Sequence, residues 1–137
     1  MNRRKLLQLT GLSLVFSATG CLDAGRSGNA EAAQTPDPTH SIQIENEKSD
    51  SVTLTATVLR EQTGETVHNQ TYTLQPNETV TAYNTRQANP DGIEEFTVTV
   101  TSEGSTDSFT LETNQCMGDV IARVTESDGI DMVYSIC

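Results

Sequence analysis

Three cysteines, two histidines and a surplus of carboxylates are the residues of this chain with chemistry to offer. Cys116-Met117 raises the question of a blue-copper centre, which needs two histidines and a cysteine, one histidine following that cysteine closely. His40 and His68 both precede Cys116 and none follows it, so the ligand set is incomplete. A catalytic thiol at Cys116 would need a basic partner and a zinc site further ligands, and neither stands near it in sequence. Asp119, Glu126, Asp128 and Asp131 offer the hard oxygens that calcium takes in sets of about 6–8, but without EF-hand spacing. Nineteen carboxylates make such clusters inevitable, and this one reads as a solvated hairpin turn. No G-x-S-x-G, H-E-x-x-H, P-loop or paired C-x-x-C is present. The sequence therefore points away from an enzyme and calls for no metal and no cofactor.

The third cysteine lies in a different setting. Arg3 and Arg4 stand before a leucine pair, and a mildly apolar run through Leu12, Leu14, Val15 and Phe16 leads to Ala18-Thr19-Gly20-Cys21. The run is too short to span a bilayer, which takes about 20 apolar residues, but it has the length of a secretory signal core. Polar Gln8, Thr10 and Ser13 lower its hydrophobicity, as in signals read by the twin-arginine pathway, which exports folded proteins. Small residues directly before Cys21 resemble the lipobox of bacterial and archaeal lipoproteins, and that resemblance implies a thiol that receives lipid and becomes the first residue of the mature chain. A competing cleavage point at Ala30-Glu31-Ala32 lies far beyond the signal core. With Cys21 taken by lipid, Cys116 and Cys137 remain as an even pair in an oxidising compartment and are expected to be bridged.

Charge bounds the partners. Arg3, Arg4 and Lys5 occupy the extreme N-terminus, so the exported part keeps five cations against 19 carboxylates, a balance of −14. A surface this acidic repels nucleic acid and anionic headgroups, and it repels itself unless salt shortens the screening length to about 3 Å at 1 M from about 10 Å at 0.1 M. The composition suits strong brine.

The elements that would position these residues follow from periodicity. Residues 1–20 read as the signal segment and 21–39 as the lipid-anchor cysteine and a flexible linker, closing in Thr35-Pro36-Asp37-Pro38-Thr39. Residues 40–137 form the domain, and there the alternation is period two. Ile42 and Ile44 open it. Val52, Leu54, Ala56 and Val58 then make an apolar face opposed by Thr53, Thr55 and Thr57. Gln62-Thr63-Gly64 turns the chain, Val67, Tyr72 and Leu74 continue with mixed alternation, and Pro76-Asn77 turns it again into a short strand through Val80 and Ala82. Phe96, Val98 and Val100 make the strongest strand. Phe109 and Leu111, then Val120, Ala122 and Val124, then Ile130 to Ile136 complete the set. Roughly seven or eight short strands punctuated in this way predict an all-β, immunoglobulin-like antiparallel β-sandwich. Asn69-Gln70-Thr71 and Asn77-Glu78-Thr79 are N-glycosylation sequons at or beside turns.

Taken together, the arginine pair, Cys21, Leu74-Gln75-Pro76-Asn77-Glu78 and the closing cysteine resemble the small immunoglobulin-like lipoproteins of halophilic archaea. The resemblance implies a cell-surface protein held at the outer face of the membrane by lipid on Cys21, and it supplies no catalytic residue. The function expected is a non-catalytic surface module, binding or structural, with an unidentified protein or glycan partner. The alternative is an accessory solute-binding lipoprotein of a transport system, for which a single head of about a hundred residues is small.

Overall fold

Valine, isoleucine and threonine alternating along a strand put branched apolar side chains on one face and hydroxyls on the other, and such strands are stable only when their apolar faces meet. The computed structural model, which describes residues 31–127 and 129–137, shows that outcome. Eight strands form: β1 (Ser41–Asn46), β2 (Val52–Arg60), β3 (Glu65–Leu74), β4 (Thr79–Asn84), β5 (Glu95–Ser102), β6 (Ser105–Glu112), β7 (Met117–Val124) and β8 (Ile130–Ile136). They make two four-stranded sheets, ordered β4-β1-β7-β8 and β3-β2-β5-β6. The expected all-β sandwich is the fold.

The inward faces are the predicted ones. Ile42, Ile44, Val120, Ala122 and Val124 from the first sheet meet Leu54, Ala56, Val58, Phe96, Val98, Val100 and Leu111 from the second, all buried. Phe96 is the largest fully buried side chain; the rest of the core is aliphatic apart from Tyr83. Each fully buried aliphatic side chain of this size contributes about 1.5–3 kcal/mol. The outward face of the second sheet is hydroxylic, with cross-strand pairs Thr55–Thr71 at 3.0 Å, Thr97–Thr110 at 2.9 Å and Thr99–Ser108 at 2.9 Å.

The structure departs from the sequence reading in two places. One ladder is not antiparallel: β1 runs parallel to β7, with Ile42 opposite Val120 and Ile44 opposite Ala122. The cause is the short link at residues 113–116, which crosses from β6 to the other sheet without leaving the pole where β1 begins, so β7 has to start there too. The second departure concerns the linker. Its described part, residues 31–39, is docked on the sandwich. Asp37 N donates to Thr113 O at 2.9 Å, Gln115 N donates to Ala32 O and Thr35 O, and Pro36 bridges Asn114. The two prolines extend the chain alongside a loop that has main-chain groups to satisfy, which composition does not reveal.

Polar side chains fix the loops. Buried Asn46 donates from Nδ2 to the carbonyls of Asp50 at 2.8 Å, Leu74 at 3.2 Å and Gln75 at 3.2 Å, and its Oδ1 accepts from Lys48 N. That one amide ties the β1–β2 turn to the β3–β4 turn. Buried Thr85, at the start of a 3-10 turn, accepts from His40 N at 3.0 Å and donates to Pro38 O at 2.7 Å. Gly104, at φ 75°, closes the two-residue hairpin between β5 and β6.

Cys116 and Cys137 are joined by a disulfide across a sequence separation of 21, which fastens the end of β8 to the start of β7. Cys137 N also donates to Cys116 O at 3.1 Å. Closing a loop of that length contributes about 3 kcal/mol on chain-entropy grounds. Replacing both cysteines by serine should therefore lower the unfolding free energy in high-salt urea titration by about that amount, and a midpoint unchanged from wild type would refute the contribution.

Candidate functional site

The residues that the sequence singles out do not converge. Cys21, Arg3, Arg4 and Asp128 lie outside the described residues. Cys116 is consumed by its disulfide. His40, the first residue of the domain, is 2% exposed, with its Nε2 unpartnered among the described residues. His68 sits on β3, an edge strand of one sheet, whereas Cys116 precedes β7 of the other. The acidic residues near the last hairpin also separate. Asp119 Oδ1 accepts from Ser41 N at 2.8 Å, whereas Glu126 accepts from Ser49 N seven positions on, about 23 Å along an extended strand. Asp131 stands opposite Arg123 in the β7–β8 ladder. Among the described residues no group of three or more histidine, cysteine or carboxylate side chains could hold a metal ion, and no helix is long and apolar enough to cross a membrane.

Two polar clusters that sequence reasoning missed do form. Arg60, at the end of β2, pairs with Glu94 just before β5, Nε to Oε1 at 2.6 Å and Nη2 to Oε2 at 2.7 Å. The Glu94 side chain is 1% exposed. The hydrogen bonds from Arg60 hold its carboxyl below the usual range against the opposing effect of burial, and the main-chain N–H of Asp91 adds to them. The guanidinium is raised in turn, chiefly by the same contact. Thr113 Oγ1 accepts from Glu94 N at 2.8 Å, so the pair also secures the loop that receives the N-terminal segment. Such a charge pair becomes visible only when β2 and β5 are set in register, with Arg60 opposite Phe96.

The second cluster closes the rim where edge strands β3 and β4 meet. His68 Nε2 and Tyr72 Oη are 2.8 Å apart, Tyr72 Oη donates to Ala82 O at 3.3 Å, and the His68 and Tyr83 rings lie 5.2 Å apart between centroids. Burial lowers the His68 pKa below its ordinary 6.5 and raises those of Tyr72 and Tyr83 above 10.0. A bulge in β3 belongs to the same region: Val58 pairs with His68 and Leu59 with Thr66, which leaves Val67 as the extra residue.

The opposite rim is different in kind. Edge strands β6 and β8 adjoin there, and the rings of Phe109 and Tyr134 lie 4.2 Å apart between centroids. Tyr134 is 48% exposed and Ile136 62%; with Ile93 they are the exposed large hydrophobics among the described residues. Over its seven residues β8 carries one charge, Asp131, and it has no lysine or proline. Natural sheet edges are usually guarded by such residues. Gly118 lets β8 lie close at the register shift in β7, since a Cβ there would meet Ser135. This rim, with the hydroxylic face beside it, is the part of the described surface where large apolar side chains and a sheet edge lie open together.

The His68 cluster sets a pH dependence. Below pH 6.5 the unfolded chain takes a proton on this histidine that the folded chain resists, so stability falls as pH drops from 6.5 toward the depressed folded value. A thermal midpoint measured in high salt should decline between pH 7.5 and 5.5, and His68→Gln should flatten that decline. An identical slope in the variant would show that the cluster is not its source.

A scan against protein-family models finds no match, and a search of curated proteins finds none either. Among solved structures the chain is similar to an NMR structure of a protein from Eubacterium rectale, at 18% identity and a TM-score of 0.36, covering 70% of this chain and 87% of that one.

Proposed function

We propose that this protein is a non-catalytic surface module, held at the outer face of the cell membrane by lipid on Cys21, that binds an extended segment of another envelope protein along the free edge of β8. The observation that carries the reading is the strand itself, an almost uncharged sheet edge with Tyr134 and Ile136 exposed, its end pinned by the Cys116–Cys137 disulfide. A disulfide in a small domain fits an exported protein. An unpaired edge offers main-chain donors and acceptors for an added strand, and side chains beside it give selectivity. In the strong salt that suits a balance of −14, charge attraction is screened, which leaves hydrogen bonds and apolar contacts to recognise a partner.

The docked N-terminal segment supports the placement. Ala32 accepts from Gln115 N, next to the disulfide, so the chain enters the head at the pole that holds the end of β8. Cys21 and Glu31 are ten positions apart, a span of at most about 35 Å.

Two measurements test the proposal. In detergent phase partition of cells producing the full chain, the wild type should enter the detergent phase and Cys21→Ser the aqueous phase; wild type in the aqueous phase, or a retained Met1, refutes the anchor. For the edge, Tyr134 is replaced by a photoreactive phenylalanine analogue and irradiated in native membranes at high salt. One discrete protein adduct, located to an extended segment of that protein and lost on adding Ile136→Lys, is the expected result. Equal adducts from the same probe placed at Thr99 on the hydroxylic face would sink the edge assignment.

A further inference from the structure

The two sequons occupy unlike positions in the fold. Asn69 and Thr71 lie within β3, paired residue by residue with Thr57 and Thr55 of β2. The Asn69 side-chain Oδ1 accepts from the Thr57 hydroxyl at 3.5 Å, and the Thr71 hydroxyl shares a hydrogen bond with Thr55 at 3.0 Å. Both side chains that define the first sequon are thus drawn into the ladder of the hydroxylic face. Asn77 sits at the apex of the β3–β4 turn with φ 64°, inside a run of five exposed residues, 75–79. Its side-chain amide makes no hydrogen bond among the described residues, and neither does the Thr79 hydroxyl.

The turn is nonetheless held firmly from behind. Asn77 N donates to Asn46 O at 2.8 Å, Asn46 N donates to Glu78 O at 2.9 Å, and Gln75 N donates to Glu78 Oε1 at 2.7 Å. A rigid backbone therefore presents an unencumbered asparagine at the tip of the molecule. The position along the long axis matters as well. β1 runs from the N-terminal pole at Ser41 to Asn46, which holds this turn, so Asn77 marks the pole remote from the docked segment and the disulfide.

From this contrast we propose that Asn77 is the site of N-linked glycan attachment and that Asn69 stays bare. The inference rests on the export reading above, because a chain exported already folded must be modified on its folded surface. There the transferring enzyme needs an acceptor asparagine and a threonine hydroxyl that it can grip together. At Asn77 both are exposed and uncommitted, whereas at Asn69 the enzyme would have to lift β3 away from β2 and break ladder hydrogen bonds. The amide nitrogen of Asn77 forms a bond to the anomeric carbon of an oligosaccharide carried on a lipid phosphate. The anomeric carbon–oxygen bond breaks, the phosphate departs with the bonding pair, and the displaced amide proton passes to base. No change of oxidation state is involved. Attached there, the glycan projects from the pole opposite the tether and leaves the β6/β8 rim uncovered.

The test is intact-mass analysis of full-length protein purified from membranes of an archaeal host that carries N-glycosylation, alongside three variants. Thr79→Ala removes the second sequon, Thr71→Ala removes the first, and Asn77→Gly removes the acceptor while suiting the positive φ, so that the turn is retained. The expected result is a mass excess in whole sugar residues for wild type and Thr71→Ala, absent from Thr79→Ala and from Asn77→Gly. The unfolding midpoint of Asn77→Gly made without glycosylation should be no lower than that of wild type made in the same way. Lipidated wild type with no sugar excess overturns the inference alone, as does an excess that survives in Thr79→Ala or vanishes in Thr71→Ala. Protein that keeps Met1 and carries neither lipid nor sugar overturns the export reading and the inference together.

Discussion

Among the described residues no hydrogen-bonded ladder joins the two sheets, so their relation rests on inward side chains and on clasps at the rims. The core is thin in aromatic residues, with Phe96 the largest side chain wholly inside and valine, isoleucine, leucine and alanine making up nearly all the rest. Small branched side chains interdigitate closely but reach only a short way, and the two inner faces must stay about 10 Å apart over their whole area. That requirement gives the polar contacts their meaning. Asn46 joins the turns at one pole, the Arg60–Glu94 pair and Thr113 join those at the other, and Tyr72 reaching Ala82 closes one rim while Phe109 against Tyr134 closes the second.

Sequence periodicity was sufficient for what depends on neighbours along the chain. The expected seven or eight strands, and the inward residues of the most regular of them, could be read from alternation at Val52–Val58, Phe96–Val100 and Val120–Val124, because a one-residue error would reverse every face. It was insufficient for what depends on neighbours in space. Whether β7 lies parallel or antiparallel to β1 is decided by which pole the link at residues 113–116 crosses, and no local pattern encodes that. The docking of residues 31–39 was hidden for a similar reason: prolines and small residues signal an extended chain, whether that chain is solvated or laid on a loop. Arg60 and Glu94 are 34 residues apart, and nothing in the sequence distinguishes Glu94, the buried carboxylate among the described residues, from the many other acidic residues.

The chemistry shows the same division. Cys116 and Cys137 were legible as a pair because counting cysteines, once a chain is read as exported, is an argument about compartment. The acidic residues around the last hairpin looked like a cluster only because sequence distance was standing in for spatial distance. β7 carries Asp119 and Glu126 to its two ends, where each caps a different stretch of backbone. Carboxylates here are used largely as acceptors for main-chain N–H groups and as partners for the few cations, as with Glu45 and Glu47 around Arg123 at 3.0 and 3.6 Å.

A protein this acidic can rely on mutual repulsion to keep its surfaces apart only while salt is low, and screening weakens that safeguard. Under strong salt an open sheet edge has to be guarded by shape or by covering. The two rims meet this demand differently. At β3 and β4 the His68, Tyr72 and Tyr83 side chains turn inward and join the sheets, so little apolar surface is left outside. At β6 and β8 the aromatic contact leaves Tyr134 half in solvent, and β8, which carries it, lacks the lysines or prolines that would blunt it. The disulfide holds that unguarded strand flat at its end instead of letting it fray. A strand both exposed and fastened is preorganised to accept another, since little further ordering is needed when one arrives. The asymmetry between the rims is therefore the feature of this fold that a structural role alone leaves unexplained.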